Sequence, residues 1–411
     1  MNKHTKRFIA SALIYFFIGC TIGLISIIKP ELVGIIKPVH VHINLLGWVT
    51  MMIIGVSYFV IPLFIRKNVY SDRLVTLHFI LANAGIIGMV LSFIQSNNSL
   101  LAVAAIIEVL ASYLFLFNII STAIKGEPFR KLPQEGKFLM AKNDKEVDRW
   151  ASYFTIVSTL YFVAGCTLGG VMALFPEAWN YKSVHFHINL FGWISMMIYG
   201  VAYHIFPRFS GIMVKNRGLV KVNFILANAG LVSMIFALLF FEWSGGSFLS
   251  NKLILLSALI ESAAGVLFIY NVFPSVSGSS KVMGKAAVKF VLASLLYLAV
   301  GLILGLIMAL SQEILEQIMP VHVHLHVLGW ITMMIYGVGY YIIPSFAGKK
   351  LFSQSLATFQ FWTANVGLIG MLSFFYFIEE MRGFTIFFAS LEFSVPFLFI
   401  VNIAASILKK D

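Results

Sequence analysis

The chain has 411 residues, 60% of them hydrophobic and 11% charged, with a mean hydropathy of +0.92. That balance excludes a soluble globular protein. The net charge of +12 does not make it a nucleic-acid binder either, because the basic residues sit in short breaks between long apolar runs.

A transmembrane helix needs about 20 apolar residues. In chain order the candidate runs are 8–28, 39–64, 74–95, 99–123, 150–175, 183–207, 218–241, 252–273, 286–311, 321–345, 355–377 and 384–407. The first is too long for a signal-peptide core and no small-residue cleavage site follows it, so an uncleaved anchor is expected. Lys and Arg concentrate in alternate breaks, which by the positive-inside rule predicts both termini inside a prokaryotic-type plasma membrane.

Internal repetition sets the architecture. The stretch VHVHINLLGWVTMMIIGVSYFVIP at 39–62 recurs as VHFHINLFGWISMMIYGVAYHIFP at 184–207 and VHVHLHVLGWITMMIYGVGYYIIP at 321–344. The expected fold is therefore an all-α integral membrane protein, its twelve transmembrane helices forming three four-helix repeats with pseudo-threefold symmetry. Repeat one covers 1–123, repeat two 150–273 and repeat three 286–411, joined by a charged linker at 124–149 and a Ser/Gly-rich one at 274–285.

Within each repeat the first helix has a pair of glycines: Gly19 and Gly23, Gly165 and Gly169, Gly301 and Gly305. Such spacing lets a neighbouring helix or a flat ring approach closely. Helix two opens with the histidine pairs His40/His42, His185/His187 and His322/His324, followed by Asn44, Asn189 or His326, then Trp48, Trp193 or Trp330. On an α-helix, i and i+2 project about 200° apart, so each pair serves two flanks. The pairs Met51–Met52, Met196–Met197 and Met333–Met334 lie further along. Helix three repeats Ala-Asn-x-Gly at Asn83, Asn228 and Asn365, with His78, Asn223 and Gln360 before it as polar links between helices. Helix four has Glu108 and Asn118, Glu261 and Asn271, Glu392 and Asn402. A carboxyl at membrane depth points to function, either supporting a ligating histidine from behind, as Asn44, Asn189 and the three tryptophans are also expected to do, or forming a proton path.

Three such helices in a ring offer six imidazoles to three clefts, two per cleft, the ligand count of bis-histidine haem iron. Two or three haems b are expected near the outer face, and an apolar porphyrin suits the 39 Phe of the chain. A histidine at a membrane interface is often merely hydrogen-bonded, but three equivalent pairs favour ligation. A copper carrier using the His-x-His and Met-Met positions is the reading from another class. Cys20 and Cys166 lie inside apolar runs, and neither a disulfide framework nor a Cys-x-x-Cys-His haem attachment is present. There is no nucleotide loop, zinc spacing or nucleophile elbow.

The middle copy reads His185-Phe-His187, then His204 followed by Ile-Phe-Pro-Arg-Phe-Ser-Gly. This resembles the tenth helix of subunit I of the haem-copper oxidases, and the twelve-helix, pseudo-threefold plan extends the resemblance over the whole chain. The resemblance implies that the first histidine of the tenth-helix pair binds a high-spin haem and the second a low-spin haem. By helix order His322 and His324 hold that position. The other low-spin ligand would come from the second helix, here His40 and His42. His185 and His187 lie on the sixth helix, which in the family contributes to copper. The pattern departs at the copper ligands, since run 218–241 has no histidine and Asn189 stands where His-x-x-x-Tyr requires tyrosine. The resemblance thus leaves copper, and conventional reduction of O2 to water, without support. His326, one turn below His322, is the expected extra ligand wherever O2, NO or a non-haem metal binds. Electrons would come from a quinol or a separate cytochrome. A haem protein that binds NO without catalysis is the remaining alternative.

Overall fold

The computed structural model describes residues 2–130, 144–375, 377–378 and 380–408, so the middle of the expected linker 124–149 lies outside the described residues. The described residues are mostly helical. In order the long helices are α1 (Lys3–Ile28), α2 (Pro30–Ile65), α3 (Asp72–Gln95), α4 (Asn98–Lys125), α5 (Lys145–Leu174), α6 (Pro176–Ser210), α7 (Gly218–Ser244), α8 (Phe248–Gly278), α9 (Lys285–Met308), α10 (Glu313–Phe346), α11 (Gln354–Phe374) and α12 (Arg382–Leu408). Among the described residues eleven are long and apolar enough to cross a membrane. The helix outside that set is α11, whose run is interrupted by Gln360, Thr363 and Asn365.

Local chemistry sets the helix ends. Ser71, Asn97 and Ser353 accept backbone N–H bonds from Leu74, Leu100 and Leu356, capping α3, α4 and α11. Arg66, Ser96, Gly211 and Gly245 turn left-handed where α2, α3, α6 and α7 end. Many outward positions are aliphatic or aromatic, among them Ile14, Leu110, Phe236 and Leu296, as lipid contact requires.

The chain forms two compact units. The first comprises residues 1–140, 169–174 and 339–411. Its core stacks Phe16 on Trp48 with ring centroids 4.2 Å apart, and Phe399 meets Trp48 edge-on. The second comprises 141–168 and 175–338. There Phe162 stacks on Trp193 at 4.6 Å, and Trp330 donates from Nε1 to Ser195 Oγ at 3.2 Å. All three tryptophans are buried, so they pack the core beneath the histidines.

The polar residues of the third helices act as the links expected. Tyr58 pairs with His78 Nδ1 at 2.9 Å, Tyr203 donates to Asn223 at 3.1 Å, and Tyr340 donates to Gln360. The asparagines of the fourth helices hold loops. Asn118 exchanges two hydrogen bonds with the backbone of Ser71, Asn402 does the same with Ser353, and Asn271 accepts from the amide of Asn216.

Candidate cofactor-binding site

Each histidine helix changes its winding just below the pair. Residues Ile43–Thr50, Ile188–Ser195 and Leu325–Thr332 are π-helical, bonded i to i+5. Where the pattern changes, a carbonyl loses part of its usual pairing, and a side chain answers: Asn44 Nδ2 donates to His40 O, and Asn189 Nδ2 to His185 O, both at 2.8 Å.

The two histidines of a pair face different neighbours, as their spacing predicts. In the first unit His40 turns to α1, where its Nδ1 donates to Gly19 O at 2.9 Å. His42 turns toward α3 and lies 5.1 Å from the ring of Phe93. The α1 glycines make room for these polar side chains rather than for a neighbouring backbone. A Cβ on Gly23 would meet His40 Cε1 at 2.6 Å, and one on Gly19 would meet the Asn44 amide at 2.5 Å. In the second unit Gly165 faces Asn189 in the same way, and Gly301 faces His326.

The second histidine of every pair shares one feature. His42 Nδ1 bonds to Pro38 O at 2.8 Å, His187 Nδ1 to Ser183 O at 2.9 Å, and His324 Nδ1 to Pro320 O at 2.8 Å. A carbonyl oxygen only accepts, so Nδ1 holds the proton and Nε2 keeps its lone pair. This is how a protein orients an imidazole for an iron or other metal. His42 and His187 are half-buried, as groups beside a cofactor cleft are.

His322 and His326 meet within the second unit. The rings of His322 and His326 lie 4.6 Å apart, both beside the Gly301 carbonyl, and His187 is within electrostatic range of each. Among the described residues no group of three or more His, Cys, Asp or Glu is arranged to hold a bare metal ion. The Met pairs are core: Met196, Met197, Met333 and Met334 are buried, and Met197 Sδ accepts from Ser158.

The three carboxyls expected to support an imidazole or to form a proton path each lie against a glycine of the helix before them. Glu108 packs against Gly85, Glu261 against Gly230 and Glu392 against Gly367, each against the helix preceding it. Backbone carbonyls fill the supporting place behind His40, His42, His187 and His324. The chain also has a polar cluster that sequence reasoning did not assign. Asp148 on α5 takes a two-pronged bond from Arg208 at 2.9 and 2.8 Å, and pairs with His204 Nδ1 at 2.9 Å. The signal was present in the sequence, because the third repeat has Tyr341 and Ser345 in place of His204 and Arg208, and the first has Phe59 and Leu63.

No curated protein matches the chain. A solved structure described as a heme-copper terminal oxidase dimer is similar over 100% of this chain and 85% of its own, with a TM-score of 0.74 at 14% identity, which shows a shared fold. The family model for cytochrome c and quinol oxidase polypeptide I matches at residues 3–184, 95–247 and 285–410. With histidines of this placement on helices of this fold, and a family match spanning nearly its whole length, the chain belongs to the cytochrome c and quinol oxidase polypeptide I family.

Proposed function

We propose that this chain binds two or three haems b in the clefts beside its histidine helices and passes electrons through them. Its twelve helices would be arranged as three repeats, with both termini inside and the haems toward the outer face. The axial nitrogens would come from His40, His42, His185, His187, His322 and His324. The observation behind this reading is the recurrent Nδ1–carbonyl bond at His42, His187 and His324, which keeps the proton on Nδ1 and the lone pair on Nε2. Bound haem would supply one-electron redox chemistry, favoured over gas binding where both axial positions are taken by imidazole. A quinol or a separate cytochrome would deliver the electrons.

A second reading, binding or reduction of O2 or NO, is favoured by one observation: the contact of His326 with His322, their rings 4.6 Å apart. There His326 would support a gas or a copper ion beside an iron with an open position.

Pyridine haemochrome analysis with iron quantified per chain tests the haem assignment. Coloured protein with about two or three irons is expected, and a colourless product from cells with ample haem would overturn it. Adding CO to the reduced protein separates the two readings, since a spectral change that His326→Ala alters marks an open site. No change at all marks closed, electron-transfer haems.

A further inference from the structure

Trp150 stands where the apolar run of α5 begins, and two cations lie over its ring. The Arg149 guanidinium from α5 and the Lys221 ammonium from α7 are each 5.8 Å from the ring centroid. The two charges are therefore within about twice that distance of each other. An indole face attracts a cation and so steadies a side chain that would otherwise sweep through solvent. Tyr153 meets the same indole edge-on at 5.2 Å and Phe224 packs on it at 5.5 Å, which braces the ring from both helices.

Both cations are exposed, and among the described residues neither forms an ion pair. Two acids at this end of α5 are engaged elsewhere. Asp144 holds Arg217 at 2.9 Å, and Asp148 holds Arg208 and His204.

Below each cation the helix is apolar. On α5 Tyr153, Ile156 and Leu160 follow Arg149 at helical spacing, and on α7 Ile225 and Val232 follow Lys221; all five are exposed. Paired positive charge at a membrane boundary, above outward apolar stripes, matches a phospholipid in outline. A phosphate would lie at the cations and acyl chains along the stripes. The other repeats lack the arrangement. His4 and Ala286 take the place of Trp150 there, and Thr76 and Thr358 that of Lys221. A basic fringe serving orientation alone would need no aromatic seat for its cations.

We propose that the ends of α5 and α7 hold one phospholipid with an anionic headgroup. Its phosphodiester is bound by Arg149 and Lys221 on the Trp150 seat, and its acyl chains lie along the two helices. The site does not depend on the haem reading.

The test is native mass spectrometry of the full-length protein in detergent, with phosphatidylglycerol or phosphatidylcholine added at equal concentration. One phosphatidylglycerol per chain is expected to stay bound where phosphatidylcholine is lost. Arg149→Gln with Lys221→Gln should weaken its binding about 25-fold, about fivefold for each cation beside an anionic lipid. Arg149→Lys with Lys221→Arg should keep it. If the double Gln variant does not fold, Lys221→Gln alone should weaken binding about fivefold. Lys252→Gln with Lys281→Gln, on α8 and just beyond it, removes as much charge and should change nothing. The proposal is overturned by equal retention of phosphatidylcholine, by no bound phosphatidylglycerol, by unchanged binding in the Gln variants, or by an equal loss in the Lys252 and Lys281 control. Excess inorganic phosphate should leave the lipid in place. Displacement would also overturn the proposal, because it would show a phosphate site that needs no acyl chains.

Discussion

Two side chains show how narrow the tolerances are at the residue scale. A methyl group on Gly23 falls 2.6 Å from His40 Cε1, so the imidazole must swing from its bond to Gly19. Gly23→Ala is expected to lower the haem-to-protein ratio while helix content is kept, measured by absorbance against circular dichroism. Asp148 is the second case. Its carboxylate pairs with Arg208, which is only 8% exposed, and removing it strands that cation in the protein. Because Asp148 is itself 29% exposed, Asp148→Asn should cost less than a fully buried pair, on the order of 2–3 kcal/mol, read as a lower melting temperature in detergent. The histidine pairs were legible in the sequence because they occur three times in step with Gly-Trp. The carbonyls that orient them were not, since a backbone acceptor has no residue type and leaves no mark. The sequence pattern showed that three glutamates recur at membrane depth, but not that each lies against a glycine of the neighbouring helix, because that contact spans two helices.

The π-helical windings are the distinctive feature at the scale of elements. Each sets the angle between the histidines above it and the tryptophan within it. Deleting Leu46 from the first would rotate everything beyond it by about 100°. Trp48 would then leave its stack on Phe16, and little folded protein is expected on size-exclusion chromatography. A milder probe is Trp193→Ala, which empties the contact with Phe162 and should cost about 3–5 kcal/mol in thermal unfolding. The apolar runs predicted the long helices well, because length and hydropathy suffice for a membrane span. The windings were hidden, because Leu-Gly-Trp and Phe-Gly-Trp read equally well as α-helix.

Membrane embedding was legible from composition alone at the scale of the whole molecule, and the family match agrees with it. Within the expected span 355–377, α11 has 21 residues and is the helix outside the membrane-crossing set, because it spends positions on Gln360, which bonds Val395 O on α12, and on Asn365, which bonds Phe361 O of its own helix. The compact units cut across the sequence repeats, with the third divided at residue 338. A repeat whose faces are all apolar has no preference for its own helices over those of the next, and sequence pattern cannot show where packing is densest. The proposed orientation makes a direct prediction for cysteine labelling. A membrane-impermeant maleimide should label Ser247→Cys in intact cells and Lys350→Cys only after the cells are broken. The reverse pattern would invert the topology.

The tether from Nδ1 to a carbonyl one turn earlier has a consequence for robustness. Since the acceptor belongs to the main chain, no side-chain replacement can delete it. The aim of His42, His187 and His324 is thus written into the winding of a single helical turn, and it lasts as long as that turn does. Unravelling Pro38–His42 would release the ring and misdirect its free nitrogen in one event. Bleaching of a bound chromophore at that position should therefore track the fraying of one short stretch of helix, well before the bundle as a whole comes apart.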